Sequence, residues 1–160
     1  MTNHPIPISV FLATADETAR LGVWLAAQVG PGDALLLDGP IGSGKTHLAR
    51  ALIRARLGRH EDVPSPTFTL VQTYEADGVE IWHADLYRLT HPDEVLELGL
   101  GDAFDTAICL VEWPDRLGQD APETGLYLRF SQASEGRHIH LTGGPRWADR
   151  LLQLAEYWDG

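Results

Sequence analysis

The chain has 160 residues, 44% of them hydrophobic and 22% charged, the balance of an ordinary globular protein rather than a disordered or fibrous one. A chain of that length buries roughly two-thirds of its unfolded surface, so residues 1–160 read as a single domain that needs no covalent or metal staple. The formal charge of −11, with no local run of Lys or Arg to offset it, disfavours tight direct binding to a nucleic-acid backbone.

The first residues, "MTNHPIPISV", lack the basic start and apolar run of a secretory signal. No stretch approaches the ~18 apolar residues of a membrane span, so no membrane association is expected. The single cysteine, Cys109, sits inside the apolar run "AICLV" and reads as a buried, inert thiol of a reducing compartment. The expected location is therefore the cytoplasm.

In chain order, Thr14 followed by Glu17 forms a capping box, and apolar residues at helical spacing predict a helix over 14–29, broken by "GPGD". "ALLLD" (34–38) is short and fully apolar, the pattern of a buried central strand. It runs into a Gly-rich stretch and then into "KTHLARALIRARL" (45–57), whose Leu48, Ala49, Leu52, Ile53 and Leu57 predict a helix. Pro64 and Pro66 exclude a helix at the start of the next segment, but "TFTLVQTY" (67–74) is rich in strand formers. "ADG" turns the chain into "VEIWHAD" (79–85), giving a hairpin.

Residues 90–97, "THPDEVLE", have the cap, early proline and acidic start of a helix that Gly99 ends. "AICLVEW" (107–113) is a second buried strand. "GLYLRFS" (125–131) and "RHIHLT" (137–142) alternate across "QASEG" as a second hairpin, and "PRWADRLLQLAEYW" (145–158) closes the chain as an amphipathic helix. Strand–helix alternation early and hairpins later predict an α/β fold whose central sheet is mixed, partly antiparallel, and flanked by helices.

"GPIGSGKT" (39–46) matches G-x-x-x-x-G-K-[ST] at Gly39, Gly44, Lys45 and Thr46. Small residues let successive N–H groups curl around an anionic phosphate, and the helix beginning near Lys45 points its positive end at the same place. Lys45 is the only lysine in the chain; the other eleven cations are arginine. A compact ammonium fits between the β- and γ-phosphates of a nucleotide where a planar guanidinium fits less readily. Thr46 adds a hydroxyl able to ligand Mg²⁺. The preceding strand and following helix give the motif its required context, so nucleotide binding is expected rather than a bare Gly-rich turn.

Nucleotide hydrolysis also needs carboxylates near the metal. Asp85 closes "EIWHAD" and Glu112 closes "AICLVE"; each is either such a group or an ordinary acid at the end of a strand. Thr67, on the proline-stiffened "SPTFT", reads either as a switch threonine sensing the γ-phosphate or as a residue that opens a strand. His83, His138 and His140 lack the partners of a zinc site. Trp113, beside Glu112, reads as packing or as a neighbour of the nucleotide.

Four separated segments, "GPIGSGKTHLARALI", "SPTFTLVQTY", "HADLYRL" and "ICLVEWPDRL", resemble in order and spacing the bacterial TsaE family, the small ATPase of tRNA threonylcarbamoyladenosine (t6A) biosynthesis. The resemblance spans roughly residues 5 to 145 and implies a P-loop NTPase-like three-layer fold. It implies that Gly42, Ser43, Gly44 and Lys45 hold the phosphates of ATP, that Thr46 and Glu112 coordinate Mg²⁺, and that Asp85 supports the metal or the attacking water. It places Thr67 in a switch-like loop and gives Thr18 and Arg137 adenine-side contacts. His47 stands where the family often has a second threonine; it continues the nucleotide-binding run but lies past the metal ligand, so little effect on chemistry is expected.

By the same resemblance the chain is an ATP-driven accessory of TsaB and TsaD, the latter carrying out transfer to an adenosine beside the anticodon, with tRNA met only through these partners. Lys45, Asp85 and Glu112 are the expected catalytic groups, and Thr46, Asp85 and Glu112 the metal-facing ones. Two other readings fit the motif: a small-molecule P-loop kinase, though no Arg-rich lid segment is present, and a nucleotide-gated binding module with negligible hydrolysis.

Overall fold

The computed structural model describes residues 6–58, 62–66, 70–89, 91, 93–133 and 135–158. Its strands are β1 (Ile6–Leu12), β2 (Ala34–Asp38), β3 (Val71–Ala76), β4 (Val79–Asp85), β5 (Ile108–Glu112), β6 (Leu126–Gln132) and β7 (Arg137–Gly143). The helices are α1 (Ala15–Ala26), α2 (Lys45–Leu57), α3 (Asp93–Leu98), α4 (Leu100–Thr106) and α5 (Ala148–Tyr157), with 3-10 turns at Pro114–Asp120 and Pro145–Trp147.

All seven strands join one sheet in the order β1-β7-β6-β2-β5-β4-β3. The four inner strands β6, β2, β5 and β4 are mutually parallel. The antiparallel pairs β3–β4 and β6–β7 are the two hairpins expected from the sequence, and β1 adds antiparallel to β7. The mixed, partly antiparallel α/β sheet is thus as expected.

β2 and β5 read as unbroken apolar runs because helices cover both faces of the sheet centre. Leu35, Leu37, Ile108 and Leu110 pack on one face with Leu21 and Leu25 of α1, Leu48 and Leu52 of α2, and Leu151 and Leu154 of α5. Ala34, Leu36, Cys109 and Val111 pack on the other with Leu100 and Ala103 of α4 and with Leu117. The period-two alternation of the strands therefore builds three layers with two cores. Burial pushes the Cys109 thiol up to about 12, as an inert core cysteine requires.

Three elements differ from the sequence reading. β1 was not anticipated, since "PIPISVFL" carries two prolines; it is tolerated because β1 is an edge strand, paired only with β7, where Pro7 faces Thr142. Gly99 ends α3 as expected, but with φ +86 it also starts α4 at once. α1 stops at Ala26, short of Val29, although its capping residue is Thr14, whose Oγ1 accepts the Glu17 N–H at 3.3 Å. The first part of the predicted 67–74 strand, with Thr67, lies outside the described residues. Among the described residues no helix is long and apolar enough to cross a membrane.

α1 and α2 approach closely at Gly22, where a Cβ would stand 2.7 Å from the Leu48 carbonyl and 3.0 Å from Ala51 Cβ. Since both atoms belong to the helix that follows the Gly-rich loop, Gly22→Val is expected to lower stability by about 1–3 kcal/mol. Gly30→Ala, where a Cβ meets nothing within 4 Å, is expected to stay within about 0.5 kcal/mol. Urea unfolding midpoints of the two variants check this.

Candidate functional site

The carboxyl ends of β2, β4 and β5 open on one edge of the sheet, the position where parallel α/β sheets place their sites. There the β4–β5 register sets Asp85 opposite Glu112, and the β2–β5 register sets Leu37 opposite Glu112. Asp38, ending β2, hands the chain to the Gly-rich loop, which delivers Lys45 and Thr46 at the first turn of α2. The loop reaches this curl through positive φ at Gly42 (+80) and Gly44 (+107), conformations that residues with a Cβ adopt only under strain.

These elements enclose a cavity of about 500 Å³ lined by Gly42, Gly44, Lys45, Thr46, His47, Asp85, Glu112 and Arg137, all named by the sequence reading, together with Ala15, Ile41, Tyr87, Arg88 and Trp113. Asp85, Glu112 and Lys45 are almost completely buried, at 5%, 2% and 4% exposure. Thr46 Oγ1 donates to Glu112, lying 2.8 Å from Oε1 and 3.0 Å from Oε2. Asp85 Oδ1 accepts the Tyr87 N–H at 3.0 Å. Lys45 Nζ donates to the Gly39 carbonyl and lies 3.7 Å from the centre of the Trp113 ring.

Burial pulls the Lys45 ammonium below the usual lysine range, and the carboxylates of Glu112, Asp85, Asp38 and Asp115 oppose that fall. The ring of Trp113 reaches its place over Lys45 from a left-handed backbone, φ +61, at the head of the 3-10 turn, and packs 5.0 Å from the Tyr87 ring. Trp113 thus lines the cavity as well as packing.

Arg137, at the start of β7, donates to the Ser43 carbonyl at 2.7 Å and so ties the second hairpin to the loop. Ser43 Oγ is buried without a hydrogen-bond partner among the described residues. His47 Nε2 lies 3.0 Å from the Ala15 carbonyl, linking α2 to α1. Thr18 is not among the lining residues: it is fully buried, its hydroxyl lies 3.4 Å from the Thr14 carbonyl, and α1 presents Ala15 to the cavity instead.

Sequence reasoning gave no role to Tyr87 and Arg88, although both stand in the quoted "HADLYRL". It also passed over His83 as a partner of Glu112; Nε2 lies 2.8 Å from Oε2. The available signal was alternation: His83 is two residues from Asp85 and so shares its face of the sheet. His138 and His140 stand elsewhere, stacked on each other with His138 against Phe11 and His140 bonded to Ser9.

Among the described residues no group of three or more His, Cys, Asp or Glu is arranged to hold a metal ion by itself. Beside Lys45 the cavity offers oxygens, the Thr46 hydroxyl and two carboxylates, while His47 places Nε2 at the Ala15 carbonyl. That oxygen set fits a small hard cation which completes its octahedron with water and phosphate oxygens, the habit of Mg²⁺, and not zinc. The loop's curled backbone, the start of a 13-residue helix and the Lys45 ammonium fit an anion beside that cation.

A profile of the TsaE family, described as threonylcarbamoyl adenosine biosynthesis protein TsaE, matches residues 12–139. The tRNA threonylcarbamoyladenosine biosynthesis protein TsaE of Rickettsia conorii is 41% identical over 104 residues, which are 65% of this chain and 59% of that protein. The chain thus spans less than two thirds of that relative. The protein of the same description from Bacillus subtilis is 34% identical over 145 residues, 89% of this chain and 90% of its own. The crystal structure of Bacillus subtilis YdiB shares the fold with a TM-score of 0.76, at 24% identity over 100% of this chain and 99% of that one.

Two glycines of the loop separate backbone strain from side-chain contact. A Cβ on Gly42 meets nothing within 4 Å, whereas one on Gly44 would fall on the Arg137 guanidinium. Gly42→Ala is expected to lower stability by about 1 kcal/mol from its backbone alone, and Gly44→Ala by about 2 kcal/mol once the Arg137 hydrogen bond is also lost. Equal losses in urea unfolding would remove the role given to Arg137 as a clamp on the loop.

Proposed function

The chain belongs to the TsaE family, and from that premise we propose that it is a Mg²⁺-dependent ATPase supporting threonylcarbamoyl transfer in tRNA t6A modification. The observation that carries this reading is the meeting, in one cavity, of a Gly-rich backbone cradle, a lone ammonium, a hydroxyl and two carboxylates.

In this reading the backbone N–H groups between Gly42 and Thr46 bind the β- and γ-phosphates of ATP, helped by the N-terminal end of α2. Lys45 leaves the Gly39 carbonyl for the phosphates. An anion at that point also reverses the fall in its basicity, since a negative charge beside a buried ammonium favours the charged form. Mg²⁺, held by Thr46 and Glu112, supplies charge neutralisation at the transferring phosphoryl oxygens.

Glu112 takes the metal side because it already bonds the Thr46 hydroxyl. Asp85, one strand over and with Oδ1 fixed by the Tyr87 N–H, takes the water side. There a carboxylate orients a water by accepting its hydrogen. Trp113 and Tyr87 wall the cavity and limit solvent around Lys45.

The net charge of −11 leaves RNA to be met through TsaD and TsaB rather than by this chain. Thr67, outside the described residues, keeps its place in this reading as a switch residue.

Single-turnover release of phosphate from ATP, with and without TsaB and TsaD, tests the proposal. Turnover with Mg²⁺ is expected to rise in the presence of the partners. Glu112→Gln, which keeps the side-chain shape and removes its charge, is expected to lower turnover by roughly 100-fold or more. Unchanged turnover and Mg²⁺ dependence in Glu112→Gln would overturn the role of that carboxylate. Label passing to a metabolite faster than to water would replace the ATPase with a kinase, and no release under any condition would leave a nucleotide-gated binding module.

A further inference from the structure

Among the described residues, His83 is the one fully buried titratable side chain beside the site to which the reading above gives no task. It is mounted on β4, directly across from Leu110 of β5, two residues before Asp85. Its Nε2 stands 2.8 Å from Glu112 Oε2. A carboxylate offers only lone pairs, so Nε2 carries the hydrogen and donates it. Nδ1 is buried with no hydrogen-bond partner among the described residues.

That asymmetry separates the ring from an ordinary core histidine. A histidine kept for packing gains from satisfying both ring nitrogens, or gives way to an apolar residue of similar volume. Here one nitrogen stays unpaired in the core, a standing cost, and the other makes a bond to Glu112. The Thr46 hydroxyl is nearer to Oε1, at 2.8 Å, than to Oε2, at 3.0 Å. The carboxylate is therefore held from two elements, at Oε2 by an imidazole on the neighbouring strand and across both oxygens, nearer Oε1, by the first turn of α2.

We infer that His83 is a positioning residue: its Nε2–H fixes the Glu112 carboxylate by Oε2, leaving Oε1 presented at Thr46, where the divalent cation of the bound nucleotide is held. The inference deepens the proposed function and rests on it. A ligand carboxylate hydrogen-bonded by a neighbouring donor has its orientation set before the cation arrives, and loss of such a donor typically weakens metal affinity by roughly 10–100-fold.

The test is Mn²⁺ binding in the presence of ADP, followed by electron paramagnetic resonance without partner proteins or turnover, for wild type and for H83Q, H83N and H83L. Glutamine carries an N–H to nearly the same place as Nε2 and is expected to hold Mn²⁺ within about threefold of wild type. Asparagine is too short and leucine has no donor; both are expected to weaken Mn²⁺ by roughly tenfold or more, with ADP affinity in EDTA unchanged in all four proteins. Should leucine fail to fold, the glutamine–asparagine comparison decides alone. Wild-type Mn²⁺ affinity in H83N would overturn the inference. So would equal weakening in H83Q and H83N that follows their melting temperatures, because a merely structural histidine behaves that way. A wild-type protein that binds ADP but no Mn²⁺ would instead overturn the metal-dependent reading, and this inference with it.

Discussion

Two carboxylates stand opposite each other on neighbouring parallel strands, Asp85 and Glu112, and both are taken almost wholly out of water. Buried like charges at adjacent register positions repel, and each has lost its hydration. The surrounding structure is organised around making that tolerable. Tyr87 N–H holds one carboxylate, while Thr46 and His83 hold the other. Lys45 supplies the positive charge, although burial weakens its hold on the proton.

For Lys45 and Thr46 to arrive there, α2 has to begin at the carboxyl end of β2, over the face that carries Asp85, Glu112 and His83. That fixes the loop: a strand ending at Asp38 must turn into a helix within the residues 39–44, which it does through left-handed glycines. Helix α1 then packs on α2 at Gly22, and the β6–β7 hairpin reaches back through Arg137 to the loop carbonyl at Ser43. The antiparallel addition at the β7 end of the sheet is thus tied to the Gly-rich loop by Arg137. One ammonium in a chain that otherwise uses arginine follows from this geometry, since Nζ has to fit between a carbonyl and an indole face.

The parts of the fold legible in the sequence were those with a strong local pattern. "ALLLD" and "AICLVE" announce strands buried on both faces, "KTHLARALIRARL" a helix with one apolar side, and the two alternating pairs their hairpins. β1 was hidden because prolines argue against a strand unless its edge position is already known. α4 was hidden because a glycine that ends one helix gives no sign that it starts the next. In the site, the Gly-rich motif and the strand-end acids were readable from residue type and position. His83 and Arg137 illustrate what is not local: the first needs the β4–β5 register and the second needs the path of β7 past the loop. Thr18, placed near the nucleotide by family resemblance, is fully buried with its hydroxyl near the Thr14 carbonyl, while Ala15, three residues earlier on α1, lines the cavity.

The most direct measurement is a crystal structure with ADP and Mn²⁺, using the anomalous signal of the metal to locate it. The account predicts phosphates against the backbone of residues 42–46, Lys45 moved from the Gly39 carbonyl to those phosphates, and one manganese peak within bonding distance of Thr46 Oγ1 and Glu112 Oε1. Phosphates bound in the cradle with the metal elsewhere, or with Glu112 turned away from it, would contradict the central claim that the buried carboxylates exist to hold a cation at the nucleotide.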